Sequence, residues 1–305
     1  MTDDTWPQVY ENAGALLEAQ RPKLGSPPDK DRGQFYQLLA GPSYGGGQAV
    51  SPIPRVGRPG TLLNNAGATA EGAYGCAGQS RRGLVHVARL SADCRLPKLC
   101  VPTGILSQPA YPLTGSLSAV AATFQPNACR LGQETHSALR AKYGEALNGR
   151  FCRGIWSGVA WNFPPDVVCV PHRDSQNPPG FPCTVSTGGH FDSSRGGMIV
   201  LWNLNIFVRF PPCSTIILTS GDCTHFNVPV HPGEQRWSMT QYMTGPLITW
   251  VRRGFRKRQD MSKEEQAEEA REARERAANG RRIYSTTDGL QGDYQQLKAG
   301  QGSFL

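Results

Sequence analysis

The sequence predicts a mainly β, α+β chain built on an antiparallel sandwich or barrel with flanking helices. Short runs rich in β-branched and aromatic residues crowd the chain after residue 150, at 167–170, 183–186, 198–202, 206–210, 215–219, 226–230 and 237–243. Gly, Pro, Asn and Asp break these runs tightly, which leaves no room for the crossover helices of a parallel sheet. With 35 Gly and 24 Pro against a hydrophobic share of 38%, much of the remaining chain is expected in loops.

Residues 1–60 mix charge, Pro and Gly and read as a poorly ordered lead-in with one short helix around 10–19. From 61 to about 135, apolar runs such as Leu84-Val85-His86-Val87-Ala88 alternate with Gly-rich connections, and the pattern does not choose between strand and helix. Residues 133–147 fit a helix bounded by Gly132 and Asn148-Gly149. The compact domain is expected over 61–258, with its β core at about 150–256. Residues 259–305 make a charged helix and a C-terminal tail. The helix, 262–279, opens on a Ser262/Glu265 capping box and closes at Gly280, and across 261–282 six basic residues balance six acidic ones, as on a solvated helix.

The nine cysteines form no Cys-x-x-Cys pair, so neither a structural zinc site nor a disulfide framework is supported. The acidic start Met1-Thr2-Asp3-Asp4 leads into no signal-like apolar run, and no stretch reaches the length of a membrane span. The expectation is an intracellular, monomeric protein, neither secreted nor membrane-bound. A formal charge of +8 and a pI near 9.1 favour a polyanionic partner without establishing one.

The chemistry concentrates in Val170-Pro171-His172-Arg173-Asp174, followed 51 positions later by His225 and 11 further by Arg236-Trp237-Ser238. At a strand end, residues i and i+2 share a side, so His172 and Asp174 can meet one ion. Two imidazoles and a carboxylate hold Fe(II) on one face of its octahedron and leave three positions for a chelating 2-oxo acid and O₂. The far carboxylate of 2-oxoglutarate then needs a fixed cation and a hydroxyl, which Arg236 and Ser238 supply as another i, i+2 pair. His-x-Asp, His and Arg-x-Ser in this order are the pattern of double-stranded β-helix (jelly-roll, cupin-like) dioxygenases. Gly189-His190-Phe191-Asp192 is a second His-x-Asp, but it leaves only 33 positions to His225 and lies among turn residues. His231, on the turn His231-Pro232-Gly233-Glu234, is a second distal candidate and reads as a solvated loop residue.

His172-Arg173-Asp174-Ser175-Gln176-Asn177 resembles the HRDxxN signature of the TET/JBP dioxygenases, which oxidise the methyl group of 5-methylcytosine or thymine in nucleic acid. Leu201-Trp202-Asn203-Leu204, Phe210-Pro211-Pro212, the run from Thr224 to Val230 and the run from Arg236 to Tyr242 resemble the fungal branch of that family, over about 165–256. The resemblance implies iron ligands His172, Asp174 and His225 and 2-oxoglutarate contacts Arg236 and Ser238. It also implies a nuclear enzyme acting on nucleic acid, DNA ahead of RNA, in which Asn177 hydrogen-bonds a flipped base and Tyr242 stacks on it. Two departures stand out. Thr244 occupies the place of a second base-reading His, and the cysteine-rich zinc subdomain of animal members has no counterpart. Five cations in Arg252-Arg253-Gly254-Phe255-Arg256-Lys257-Arg258 offer either a grip on phosphates, a nuclear-import signal or a solvated charge run.

Overall fold

A computed structural model describes residues 5–21, 33, 35, 37–40, 61–63, 69–71, 86–87, 110–143 and 154–300. The helices and strands, in chain order, are α1 (Thr5–Gln20), β1 (Gln37–Ala40), β2 (Thr61–Leu63), β3 (Thr69–Glu71), β4 (His86–Val87), α2 (Ala110–Phe124) and α3 (Pro126–Tyr143). They continue with β5 (Gly158–Asn162), β6 (Cys183–His190), β7 (Ile199–Leu201), β8 (Ile206–Val208), β9 (Ser214–Leu218), β10 (His225–Asn227) and β11 (Gln235–Tyr242). The C-terminal helices are α4 (Gly245–Arg252), α5 (Lys263–Ala278) and α6 (Leu290–Ala299).

The strands after residue 150 nest as antiparallel pairs. Innermost is β7 with β8, then β6 with β9, then the segment at His172 with β10, and outermost β5 with β11. Successive pairs alternate between two sheets, ordered β4-β1-β5-β11-β6-β9 and β10-β7-β8. Nested pairs alternating between sheets form the double-stranded β-helix expected from the motif order. The first strand of the third pair is not regular: His172 meets β10 in one isolated bridge, and before it the backbone contact shifts, with Asn227 N donating to the Cys169 carbonyl at 3.4 Å.

The six-stranded sheet is closed off by helices. On one side, Tyr10 of α1 stacks on Trp237 with ring centroids 5.8 Å apart, and its hydroxyl is 2.7 Å from Thr215 Oγ1. Residues 5–20 are therefore part of the fold rather than a poorly ordered lead-in, because Tyr10, Ala13 and Leu17 line one buried helical face. At the other end α2, α3, α4 and α6 gather Leu131, Leu139, Trp156, Phe181, Met243, Leu247 and Ile248 into a core. Ile283 and Leu297 join it, so residues up to Ala299 are not the tail that their sparse apolar pattern suggests. Asn127 fixes this return by donating to the Arg282 carbonyl and to Asp293. Helix α3 starts seven residues earlier than the sequence predicts. Gly132 does not stop it: a Cβ there would stand 2.8 Å from the Ile155 carbonyl oxygen, so glycine permits the close approach of helix and chain. Among the described residues, no helix is long and apolar enough to cross a membrane.

This helical core holds a titrating group. His136 on α3 is 2% exposed and its Nε2 has no hydrogen-bond partner among the described residues. Burial first, then the nearby Arg140 charge, lower its pKa to about 4 from 6.5. A depressed folded-state pKa means that the unfolded chain takes up the proton first. Stability is thus fully present above about pH 6.5 and falls by up to ~3 kcal/mol as pH drops toward 4. The urea midpoint should fall between pH 7 and pH 5, and His136→Met should flatten that slope; an unchanged slope in the variant assigns the acid sensitivity elsewhere.

Candidate metal centre

His172 and His225 face each other as a hydrogen-bonded antiparallel pair: His172 N donates to the His225 carbonyl at 3.1 Å and His225 N to the His172 carbonyl at 2.9 Å. Side chains directly opposite in such a pair project from the same face, and the two imidazoles stand with centroids 4.4 Å apart. Asp174, two residues on, returns to that face, and its backbone N donates to the Ser220 carbonyl. One ligand atom from each of His172, Asp174 and His225 lies within 4.8 Å of the others. His172 Nε2 is 3.9 Å from Asp174 Oδ1.

The backbone also sets the imidazole tautomers. Nδ1 of His172 is 2.7 Å from the Val170 carbonyl oxygen, and Nδ1 of His225 is 2.9 Å from that of Cys223. A carbonyl only accepts, so each Nδ1 carries the proton and each Nε2 presents a lone pair to the shared space. Two Nε2 donors and a carboxylate, half-buried and oriented from behind, suit a divalent transition metal such as Fe(II), with three coordination positions left for other ligands.

Asn177 braces the carboxylate. It is buried, and its Nδ2 donates to Ser220 Oγ at 3.0 Å and to Asp174 Oδ2 at 3.4 Å. Asn227 braces the histidines' strand: its Nδ2 donates to the Val167 carbonyl at 2.7 Å while its Oδ1 accepts from Cys169 N at 2.8 Å. These two side-chain bonds supplement the sparse backbone pairing of this segment with β10, which includes Asn227 N to the Cys169 carbonyl at 3.4 Å. Sequence reasoning did not single out Asn227 or Ser220, since an Asn or Ser beside a strand reads as a turn residue.

Arg236 and Ser238 lie on one face of β11, in the register Arg236↔Gly189 and Ser238↔Asn162. Arg236 is 2% exposed; its Nη1 donates to the Val167 carbonyl at 2.9 Å, and its Nε has no partner among the described residues. Burial pushes its pKa down to about 10, against the pull of Cys169 and Asp166. At neutral pH it is therefore still a cation, buried and only partly paired, which is the environment an incoming carboxylate would complete. The donor set thus fits both an iron ion and a dicarboxylate.

Tyr242 lies on the Arg236 face, four positions past Ser238, with its ring over Gly158. A Cβ at Gly158 would stand 2.8 Å from the ring, so glycine makes room for the phenol against β5. Thr244 is 6% exposed and its Oγ1 has no partner among the described residues. Gly245 N donates to the Gln176 carbonyl at 2.7 Å, which sets Thr244 beside the turn bearing Asn177. The rival candidates stay apart. His190 ends β6 rather than lying in the expected turn, and is exposed; Asp192 caps the turn at Ser194; His231 meets Arg195 Nη2 at 3.2 Å.

Two cations of the basic run after β11 are in ion pairs. Arg253 pairs with Glu269 and Arg256 with Glu265, both on α5. Helix α5 buries none of its own residues.

No protein-family model matches the chain, and no curated protein matches it significantly. Among solved structures the chain is similar to NgTET1 in complex with 5mC DNA, at 14% identity and a TM-score of 0.48, over 79% of this chain and 70% of that one. It is also similar to the viral collagen prolyl hydroxylase vCPH from Paramecium Bursaria Chlorella virus-1, in its 2OG complex. There the identity is 14% and the TM-score 0.22, over 28% of this chain and 57% of that one.

Proposed function

We propose that this chain is an Fe(II)- and 2-oxoglutarate-dependent dioxygenase that oxidises the methyl group of 5-methylcytosine, or of another methylated base, in DNA. The observation that carries this reading is the pairing of two sites within one barrel. One is the His172, Asp174 and His225 cluster with both Nε2 atoms presented; the other is the buried, partly paired guanidinium of Arg236 beside Ser238. Iron held there would supply the oxidation, with 2-oxoglutarate and O₂ as co-substrates. The chain supplies position: His172, Asp174 and His225 fix the ion, and Arg236 and Ser238 hold the distal carboxylate so that the 2-oxo end reaches the metal.

The base-handling part of the reading rests on Asn177, Tyr242, Thr244 and the β7–β8 hairpin. With its Nδ2 committed to Ser220 and Asp174, Asn177 has its carbonyl oxygen to accept from the exocyclic amine of cytosine. Tyr242 offers a ring face, and Thr244 a hydroxyl that can donate or accept but cannot carry charge. Trp202, Leu204, Ile206 and Phe207 stand exposed at 62, 58, 45 and 68% on the β7–β8 hairpin, whose Leu201 pairs with His225. Exposed aromatic rings of this kind stack on unpaired bases.

Purified protein supplied with Fe(II) and 2-oxoglutarate is expected to convert 5-methylcytosine in DNA to its hydroxymethyl form, read by mass spectrometry of the nucleosides. A second reading keeps the reaction and changes the substrate to a protein side chain or a small molecule. The pairing of Arg253 and Arg256 with α5 favours it, because those cations are then not at the disposal of phosphates. Steady turnover of 2-oxoglutarate to succinate with no altered nucleoside in methylated DNA or RNA would decide for this second reading.

A further inference from the structure

Ser238 is the end of a buried, one-directional hydrogen-bond chain that runs across three strands. Gln37 on β1 donates from Nε2 to Asn162 Oδ1 at 2.8 Å, and Asn162 on β5 donates from Nδ2 to Ser238 Oγ at 2.9 Å. The three stand opposite one another in the sheet, in the register Gln37↔Asn162↔Ser238. They are 7, 5 and 3% exposed. A buried amide in mid-sheet costs free energy unless it is matched, and here each match points the same way, toward β11.

The direction has a chemical consequence. A serine hydroxyl that accepts from an amide still has its own proton to donate. The neighbour on the other side, Thr187, is paired in register with Ser238 but donates its own hydroxyl to the Trp237 carbonyl at 3.0 Å. It is thus turned toward that carbonyl rather than toward Ser238 Oγ. The Ser238 proton is left for an acceptor on the face it shares with Arg236.

The geometry points to Asn162, backed by Gln37, as a positioning residue that fixes Ser238 as a donor and so makes the Arg236 pocket selective for a carboxylate. This rests on the reading of the pocket as the 2-oxoglutarate site. Without Asn162 the hydroxyl is free to turn and to act as an acceptor, which repels an anion. An aspartate at 162 reverses the chain: its carboxylate accepts a hydrogen bond from the Ser238 hydroxyl and sets a negative charge next to the pocket.

The test is calorimetric titration of 2-oxoglutarate into the Fe(II)-loaded full chain without oxygen. Asn162→Leu is expected to weaken binding about 10-fold, the scale of one hydrogen bond to a charged group. Asn162→Asp should weaken it by ~100-fold or more, and Gln37→Leu about 3-fold by the same reasoning applied one bond further away. Ser238→Ala should also weaken binding, and adding Asn162→Leu to it should cost nothing more, since Asn162 acts through that hydroxyl. A merely structural role would lower the melting temperature and leave the affinities of the Asn162 and Gln37 variants at the wild-type value. Should Asn162→Leu fail to fold, Gln37→Leu and its combination with Ser238→Ala carry the same test. Wild-type affinity in these variants, or additive losses in the double variant, overturns the inference while the pocket assignment stands. Failure of the wild-type protein to bind 2-oxoglutarate overturns the pocket assignment and the inference with it.

Discussion

His172→Ala is expected to abolish turnover, by ~10³-fold or more, and to release the metal. Several kcal/mol of charge stabilisation at a bound ion corresponds to about three factors of ten in rate. Alanine removes one of the two Nε2 donors that the backbone has oriented. The fold should survive, because the pairing of this segment with β10 uses the backbone N and carbonyl of residue 172, which alanine keeps. Asn227 continues to hold residues 167–169. Titration with Co(II), read by its visible absorption, should show binding to the wild type and none to the variant, with melting temperatures close to each other. His231→Ala and Asp192→Ala, at the rival positions, should bind metal and turn over normally. If either of those lost metal while His172→Ala kept it, the centre would lie elsewhere.

The strands were legible because each is a short alternating or β-branched run cut by Gly, Pro, Asn or Asp. Six of the seven expected runs are strands, with β6 reaching four residues further than expected to His190 and the other five starting and ending within three residues, while 167–170 forms no regular strand. Strand β5 was missed, although Gly158-Val159-Ala160-Trp161 before Asn162-Phe163-Pro164 carries the signal of a fully buried strand. What could not be read was long-range docking. Trp237 is covered by Tyr10, more than 200 residues earlier, and Leu297 completes a core begun by α3. A single Leu in a polar helix announces nothing until its partner is known.

The same division holds at the site. His172, Asp174, His225, Arg236 and Ser238 stood out because an i, i+2 spacing and a fixed order suggest one chemistry, and the barrel brings each set together. Their supports did not stand out. Asn227, Ser220, Asn162 and Gln37 are ordinary polar residues whose importance comes from being buried and matched. Burial is a property of the fold and not of local sequence. Charge alone could not decide: five cations in 252–258 fit a phosphate grip, an import signal or a solvated run, and only the fold shows that Arg253 and Arg256 pair with Glu269 and Glu265.

Arg236→Met is expected to do two opposite things. In the absence of 2-oxoglutarate the protein should become more heat-stable, by roughly 2–4 °C, because a desolvated and partly paired cation gives way to an apolar chain of similar length. The Val167 carbonyl, which loses Arg236 Nη1, keeps its bond from Asn227 Nδ2 at 2.7 Å, so no backbone acceptor is stranded. Affinity for 2-oxoglutarate should fall by ~10²–10³-fold, the scale of two charge-assisted hydrogen bonds. The wild type should therefore melt higher when 2-oxoglutarate is added, by linkage, and the variant should not. Arg236→Lys should recover part of the binding, since a point charge remains but the planar fork is gone. A variant that melts lower than the wild type without ligand, yet responds to 2-oxoglutarate as the wild type does, would make Arg236 a structural bolt for residue 167 and would move the carboxylate pocket away from β11.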